Sequence, residues 1–349
     1  MLQVLRSGTL AQGERVRSFE GEFAAAMGSA HGIATCNGTA ALFLALLAHG
    51  VGPGDEVITS PLTFIAIANA IVHTGARPVF ADVDDTLNLS WPAAAELIGP
   101  RTKAILLVHL HGNPGDVHAF RNLADAHGLA LIQDACQAVG ATAGDQPLGV
   151  FGTAAYSFYA TKNITTGEGG MVITNDAEVA RTCIRLRQHA YTSVPYVHDA
   201  VGYNFRMTEM QAAIGSVQLR KLDSITARRR KAAAFYERSV SPWYRRPRVA
   251  PGDRHVYHQF TLRVPQSASR DQVRRELDQC GVATGVYYPV PLHLQPPYAR
   301  LQTASCPEAE RAAADMFSIP VHPALSEGDL ATVARELNRI AVSVLNPAV

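Results

Sequence analysis

Residues 157–170 read SFYATKNITTGEGG, and a single lysine, Lys162, stands there among small, hydroxyl and glycine residues. Most lysines lie on exposed helix faces and contribute solubility. Here the flanking Tyr159, Ala160 and Thr161, with TTGEGG behind, predict a packed turn at the end of a strand. A lysine amine held near apolar or cationic neighbours gives up its proton readily and condenses with carbonyls as a Schiff base. Ser157 stands five positions before it, around the same strand end.

Other residues of the right type end other apolar runs. Asp134 closes the strand-like LIQD, where a carboxylate is costly unless a cation or several donors meet it. It reads either as a structural cap or as the partner of a protonated heterocyclic nitrogen. In CNGTAAL, residues 36–42, Gly38, Thr39 and Ala40 fall in the first turn of an apolar helix. Free N–H groups and the helix dipole attract an anion there, and small side chains let it approach. The same residues serve equally as an ordinary cap through Asn37 or Thr39. Phe64 follows another strand and offers a ring face, and Gln137 lies one helical turn beyond Asp134. Asn204 and Arg206 precede a long amphipathic helix, where an Asn is a cap or a residue reaching across a subunit boundary. Together these are the parts that pyridoxal phosphate needs: a lysine for its aldehyde, an acid for its ring nitrogen, a donor-rich helix start for its phosphate and an aromatic face for its ring.

Such a set requires a scaffold that gathers strand ends. The first two-thirds of the chain supplies it. ERVRSFEGEFAAAMG has helical spacing ending at Gly28, and TAALFLALLAHG predicts a buried helix opened at Asn37–Gly38 and closed by Gly50. Short β-branched runs follow (DEVITSP, RPVFADVD, KAILLVHLHG, ALIQDAC, AAYSFYA and GGMVITND), with helix-like segments between several of them. That alternation predicts an α/β fold with a mostly parallel sheet covered by helices on both faces, which binds ligands at the carboxyl ends of its strands. The stretch from Asn204 to Val240 predicts a long helical region interrupted near Gly215. Beyond Pro242 the pattern changes to a smaller α+β domain, so the expected division is 1–220 and 221–349.

The 349 residues are 47% apolar and 17% charged, enough for a sizeable core. A net charge of +1 gives no electrostatic footprint for nucleic acid or an anionic membrane. No apolar run is long enough to span a bilayer, and the first residues lack the apolar segment of a signal peptide. The five cysteines are scattered without a CxxC pair, so no metal site or disulfide framework is expected and the protein reads as cytoplasmic.

The segments CNGTAAL, GPGDEVITSPLTFIAIANAI, IQDACQAVGA, SFYATKNITTGEGGMVITND, GYNFRMTEMQAAIGSVQL and YYPVPLHLQPPY keep their order along nearly the whole chain. In this the sequence resembles the DegT/DnrJ/EryC1/StrS sugar aminotransferases, a branch of the fold-type I pyridoxal phosphate enzymes. The resemblance implies that Lys162 would hold the cofactor and then carry the proton of the 1,3-shift, while Asp134 would keep the pyridine nitrogen protonated. Phe64 would stack on the ring, and Gln137 would bond the phenolic oxygen. Gly38, Thr39, Ala40 and Ser157 would hold the phosphate. Asn204 would reach it from the neighbouring subunit of a homodimer with active sites at the interface. Arg206, Tyr288 and His293 are candidate substrate contacts, with packing or a dimer salt bridge as the alternative for each. The implied reaction takes an amino group from an amino acid, L-glutamate or glutamine, to a nucleotide-linked keto sugar. An aminocyclitol aminotransferase, a sugar dehydratase on the same cofactor and a non-catalytic regulatory relative are the competing readings.

Overall fold

In the computed structural model, which describes residues 1–345 except 195, 302 and 303, seven strands form the central sheet. They are β1 (His31–Thr35), β2 (Glu56–Thr59), β3 (Arg77–Phe80), β4 (Thr102–Val108), β5 (Ala130–Asp134), β6 (Thr153–Ser157) and β7 (Gly170–Thr174). The order across the sheet is β1-β7-β6-β5-β4-β2-β3. β7 pairs antiparallel with both β1 and β6, and the other pairings are parallel. Both faces are covered, which is why the strands read as continuous apolar runs. The period of two still shows. Leu106 and Val108 of β4 face one core, with Leu42, Leu44 and Ile67. Ile105 and Leu107 face the other, with Phe19, Phe23 and Phe120.

The helix Gly38–Ala48 is buried along nearly its whole length on the first face. On the second face, helix Glu14–Ala26 begins at Gly13 with no side-chain cap of its own. Its free N–H groups go instead to Glu209: the N–H groups of Gly13, Arg15 and Val16 donate to that carboxylate at 2.8, 3.0 and 2.9 Å. Glu209 opens the helix Glu209–Leu219, so one buried carboxylate joins two helices. The expected interruption at Gly215 does not occur. The helix runs through it and breaks at Arg220–Lys221, before the helix Leu222–Ser239. Gly215 is there because a Cβ would stand 2.6 Å from the Phe19 ring. A short helix, Leu2–Ser7, also precedes the first expected one.

The last third builds a smaller antiparallel pair, β8 (Phe260–Arg263) with β9 (Met316–Ile319). Helices Leu222–Ser239, Arg270–Gln279 and Glu327–Leu345 surround a separate core containing Tyr236, Tyr244, Phe317 and Leu337. Residues 282–290 make no strand; within them Gly285 bridges to Ser318. Among the described residues no helix is long and apolar enough to cross a membrane.

Candidate active site

The carboxyl ends of β5 and β6 and the start of helix Gly38–Ala48 meet at a cavity of about 800 Å³. β5 delivers Asp134 and β6 delivers Ser157. One residue later Phe158 is buried in a ring cluster, 5.3 Å from Phe19 and 5.1 Å from Phe23 between centroids. That anchor fixes the root of the turn that carries Lys162. The turn is closed by its own hydrogen bonds: Phe158 N–H to Gly169 C=O at 2.8 Å, Thr166 N–H to Phe158 C=O at 3.0 Å, and Lys162 N–H to Tyr159 C=O at 2.9 Å. Gly170, where the chain turns into β7, passes so close to the Asn37 carbonyl that a Cβ would lie 2.3 Å from its oxygen. The glycines of TTGEGG thus bring the lysine turn against the helix start.

Asp134 is buried, and Cys136 N–H donates to its Oδ1 at 3.0 Å. Burial raises this carboxyl above its ordinary range, partly offset by the Cys136 hydrogen bonds and the positive charge of Lys162. Among the described residues no other donor reaches it, so the carboxylate has room and need for a cationic N–H. At the helix start, Asn37 Oδ1 accepts from Ala40 N–H at 2.9 Å, which leaves the N–H groups of Gly38 and Thr39. Gly38 is pressed against β6: a Cβ there would stand 2.8 Å from Ser157 Cβ and 3.3 Å from Ser157 Oγ. Two free amides and a hydroxyl therefore share one corner. Phe64, 58% exposed although large and apolar, lends its ring to the cavity wall. The set fits pyridoxal phosphate: an acid short of donors, a ring face, a lysine, and a phosphate-sized corner that a side chain at residue 38 would fill.

Gln137 is held at both ends. His111 N–H donates to its Oε1 at 2.7 Å, and its Nε2 donates to Tyr288 Oη at 2.7 Å. The first bond settles which end of the amide is which and turns the NH₂ group toward Tyr288. Burial raises the Tyr288 phenol well above its ordinary range.

Gly38, Thr39, Phe64, Asp134, Gln137, Ser157, Lys162 and Tyr288 line this cavity together. Ala40 is buried in the first helical turn with its N–H spent on Asn37, and does not line it. Nor does His293, which is buried at a turn with Nε2 3.0 Å from Glu310. Asn204 and Arg206 also lie outside it. The segment 203–205 is extended, with Cys36 N–H donating to Phe205 C=O at 2.8 Å and Tyr203 N–H to Leu186 C=O at 2.7 Å. Tyr203 and Phe205 stack on each other at 5.0 Å and pack on Phe43, so Asn204 alternates to the exposed side, with Arg206 half-buried. His258 and Gln259 line the cavity from the far end of the chain and were not singled out in the sequence. The signal for them is contact across nearly a hundred positions, which no local pattern carries.

The family model for DegT/DnrJ/EryC1/StrS aminotransferases matches residues 1–338. The chain is 45% identical over 334 residues to a pleiotropic regulatory protein of Geobacillus stearothermophilus, covering 93% of this chain and 89% of that one. It is 42% identical over 341 residues to the UDP-N-acetyl-3-dehydro-alpha-D-glucosamine 3-aminotransferase of Acidithiobacillus ferrooxidans, covering 97% and 91%. The S. venezuelae protein DesV, solved in complex with a ketimine intermediate, superposes with a TM-score of 0.93 at 38% identity, covering 97% and 92%. With the model match over nearly its whole length and the fold of these structures, the chain belongs to the DegT/DnrJ/EryC1/StrS aminotransferase family.

Proposed function

We propose that this chain uses pyridoxal phosphate to move an amino group from an amino acid, L-glutamate, onto the keto group of a nucleotide-linked keto-deoxy sugar. The observation that carries the reading is one cavity holding a donor-poor buried carboxylate, Asp134, together with Lys162 and the free amides of Gly38 and Thr39. The A. ferrooxidans relative, named for a UDP-linked dehydro sugar, supports the acceptor class.

The cofactor, when bound, supplies an electron sink for the carbon that loses a proton. The chain's residues do the rest. Asp134 keeps a proton on the pyridine nitrogen, since that N–H⁺ is the donor its carboxylate lacks. Gly38 N–H, Thr39 N–H and Ser157 Oγ hold the phosphate, and Phe64 covers one face of the ring. Gln137, oriented by His111 N–H, has a second N–H for the phenolic oxygen. The Lys162 amine takes the proton from one carbon and returns it at the next. In this reading residues 1–220 are the cofactor-binding domain and 221–349 the smaller domain.

Among the described residues that line the cavity, Lys162 is the only lysine or arginine. A dicarboxylate donor and a diphosphate acceptor need more positive charge than one amine. In this reading Arg206, turned away from its own cavity, supplies that charge from the second copy of a cytoplasmic homodimer, with Asn204 beside it as a neutral donor. An aminocyclitol acceptor lacks the diphosphate and leaves only the donor's demand.

The test begins with protein loaded with pyridoxal phosphate and treated with borohydride, which should leave the reduced cofactor on the Lys162 peptide. Glutamate with a panel of UDP-, dTDP- and GDP-linked keto sugars should then give an amino sugar and 2-oxoglutarate by mass spectrometry. Asp134→Asn should retain cofactor but transfer on the order of 100-fold more slowly. A Lys162→Ala protein that transfers at the wild-type rate would overturn the mechanism.

A further inference from the structure

The segment carrying His258 is held in place more firmly than its packing requires. Tyr257, just before it, has φ 45°, a left-handed conformation unfavourable for any residue but glycine. Three contacts hold that conformation. The Tyr257 ring stacks on His255 at 3.9 Å and 5°. The buried Arg229 donates from one nitrogen, Nη1, to the carbonyls of Tyr257 at 3.0 Å and His258 at 3.3 Å. Asn163, the neighbour of Lys162, donates from Nδ2 to Val256 C=O at 3.2 Å.

That last bond fixes the imidazole as well. With Nδ2 on a carbonyl, the other end of Asn163 is the acceptor, and it faces His258 Nδ1 at 3.3 Å. Nδ1 therefore carries the hydrogen. Burial, then the positive charges of Lys162 and Arg229, hold the ring well below its ordinary protonation range, so it is neutral. Its Nε2 is then a lone pair, with no protein partner among the described residues, on a ring that lines the same cavity as Lys162.

We infer that His258 is a positioning residue: its Nε2 accepts a hydrogen bond from the Lys162 amine whenever that amine is free, and aims the amine at the reacting carbon. This rests on the function proposed above. No proton passes to the imidazole. Lys162 Nζ takes the proton from carbon with its own lone pair and gives it back, and His258 stays neutral throughout. The arrangement answers a need of the reaction. A four-carbon lysine arm released from the cofactor has many rotamers, and an acceptor tied through Asn163 to the lysine's own turn selects one of them.

The experiment compares His258→Leu and His258→Gln with wild type. In the loaded enzymes, kcat, KM and the isotope effect with α-deuterated glutamate are measured. In cofactor-free protein, the rate of Lys162 acetylation by limiting acetic anhydride is read by peptide mass. His258→Leu should lower kcat by roughly 10- to 100-fold. KM should stay within about threefold and the isotope effect should grow, because proton transfer becomes limiting. In the cofactor-free Leu variant Lys162 should acetylate faster, its amine no longer tied. His258→Gln, which keeps an acceptor, should recover most of both properties. The inference is overturned if kcat is unchanged in the Leu variant. It is equally overturned if KM alone rises, which would make His258 a substrate contact, or if the acetylation rate does not move. A wild-type enzyme that never transfers an amino group sinks the functional reading instead, and the acetylation arm still decides whether His258 holds Lys162.

Discussion

Adding one methyl group at Gly38 separates a phosphate cradle from an ordinary helix cap. An ideal Cβ there lies 2.8 Å from Ser157 Cβ and 3.1 Å from Cys136 Sγ. Ser157 Cβ is the root of a side chain on a central strand and cannot swing aside, so the helix start and β6 must part. Taken alone, Gly→Ala in a helix stabilises by roughly 0.5–1 kcal/mol. Overpacking of this kind costs about 1–3 kcal/mol, so the net stability of Gly38→Ala should fall by about 1–2 kcal/mol. The cofactor should lose more. Hydrogen bonds to a charged phosphate contribute about 1.5–3 kcal/mol each, and parting the two elements spoils at least two of the three donors. The expected loss of about 3–5 kcal/mol is roughly two to four decades of affinity. Titration with pyridoxamine phosphate measures it cleanly, since that form makes no covalent bond to Lys162. Gly21→Ala is the matched control. Gly21 is exposed within Glu14–Ala26, and nothing lies within 4 Å of an added Cβ. That variant should gain roughly 0.5–1 kcal/mol and bind as wild type does. If Gly38→Ala also binds pyridoxamine phosphate within about threefold of wild type, the phosphate does not sit at this helix start.

Two further predictions concern stability. Glu209→Ala removes the acceptor for three N–H groups of helix Glu14–Ala26, and should cost about 3 kcal/mol in urea unfolding; a loss under about 0.5 kcal/mol would mean that water caps that helix equally well. Acid should also destabilise the protein. Burial holds His109 at about 4 and His111 at about 3, and burial with the neighbouring His111 and Arg230 holds His255 at about 3. The unfolded chain protonates them near 6.5 and the folded chain does not, so their contribution is complete above about pH 6.5 and is lost as pH falls toward the folded values. At pH 5.5 each accounts for roughly 1 kcal/mol of lost stability, and the buried His258, held neutral in the same way, adds a like amount. The urea midpoint should fall steadily from pH 7 to 5.5, and by about a quarter less in His109→Gln; a flat profile would show these histidines already protonated in the fold.

What could be read in advance was whatever one strand end or one helix start encodes within a few residues. Asp134 and Ser157 end strands, Lys162 follows one and Gly38 opens a helix, each beside a run whose apolar period announces a buried element, and a parallel sheet brings such ends to one edge. The family resemblance then supplied roles for them. The misreadings share the opposite property. Gly215 was read by its local propensity as a break, whereas its reason is the Phe19 ring on another helix. Glu209 reads as a first-turn acid, yet its carboxylate caps a helix nearly two hundred positions away. Nothing within a few residues of His258 singles it out. What gives it chemical character is a tautomer fixed by Asn163, 95 positions earlier, and a strained neighbour pinned by Arg229. Even Gln137, found from sequence, was found without its orientation, which His111 N–H sets. Local sequence thus marks the groups that must be present for the chemistry, because type and strand-end position suffice to name them. The groups that aim them are chosen by distant contacts, and many residue types could occupy those places. A search for residues that set rate rather than reaction should therefore begin at strained backbone beside the named groups: Tyr288, which lines this cavity, and Tyr257, next to the lining His258, are both at positive φ.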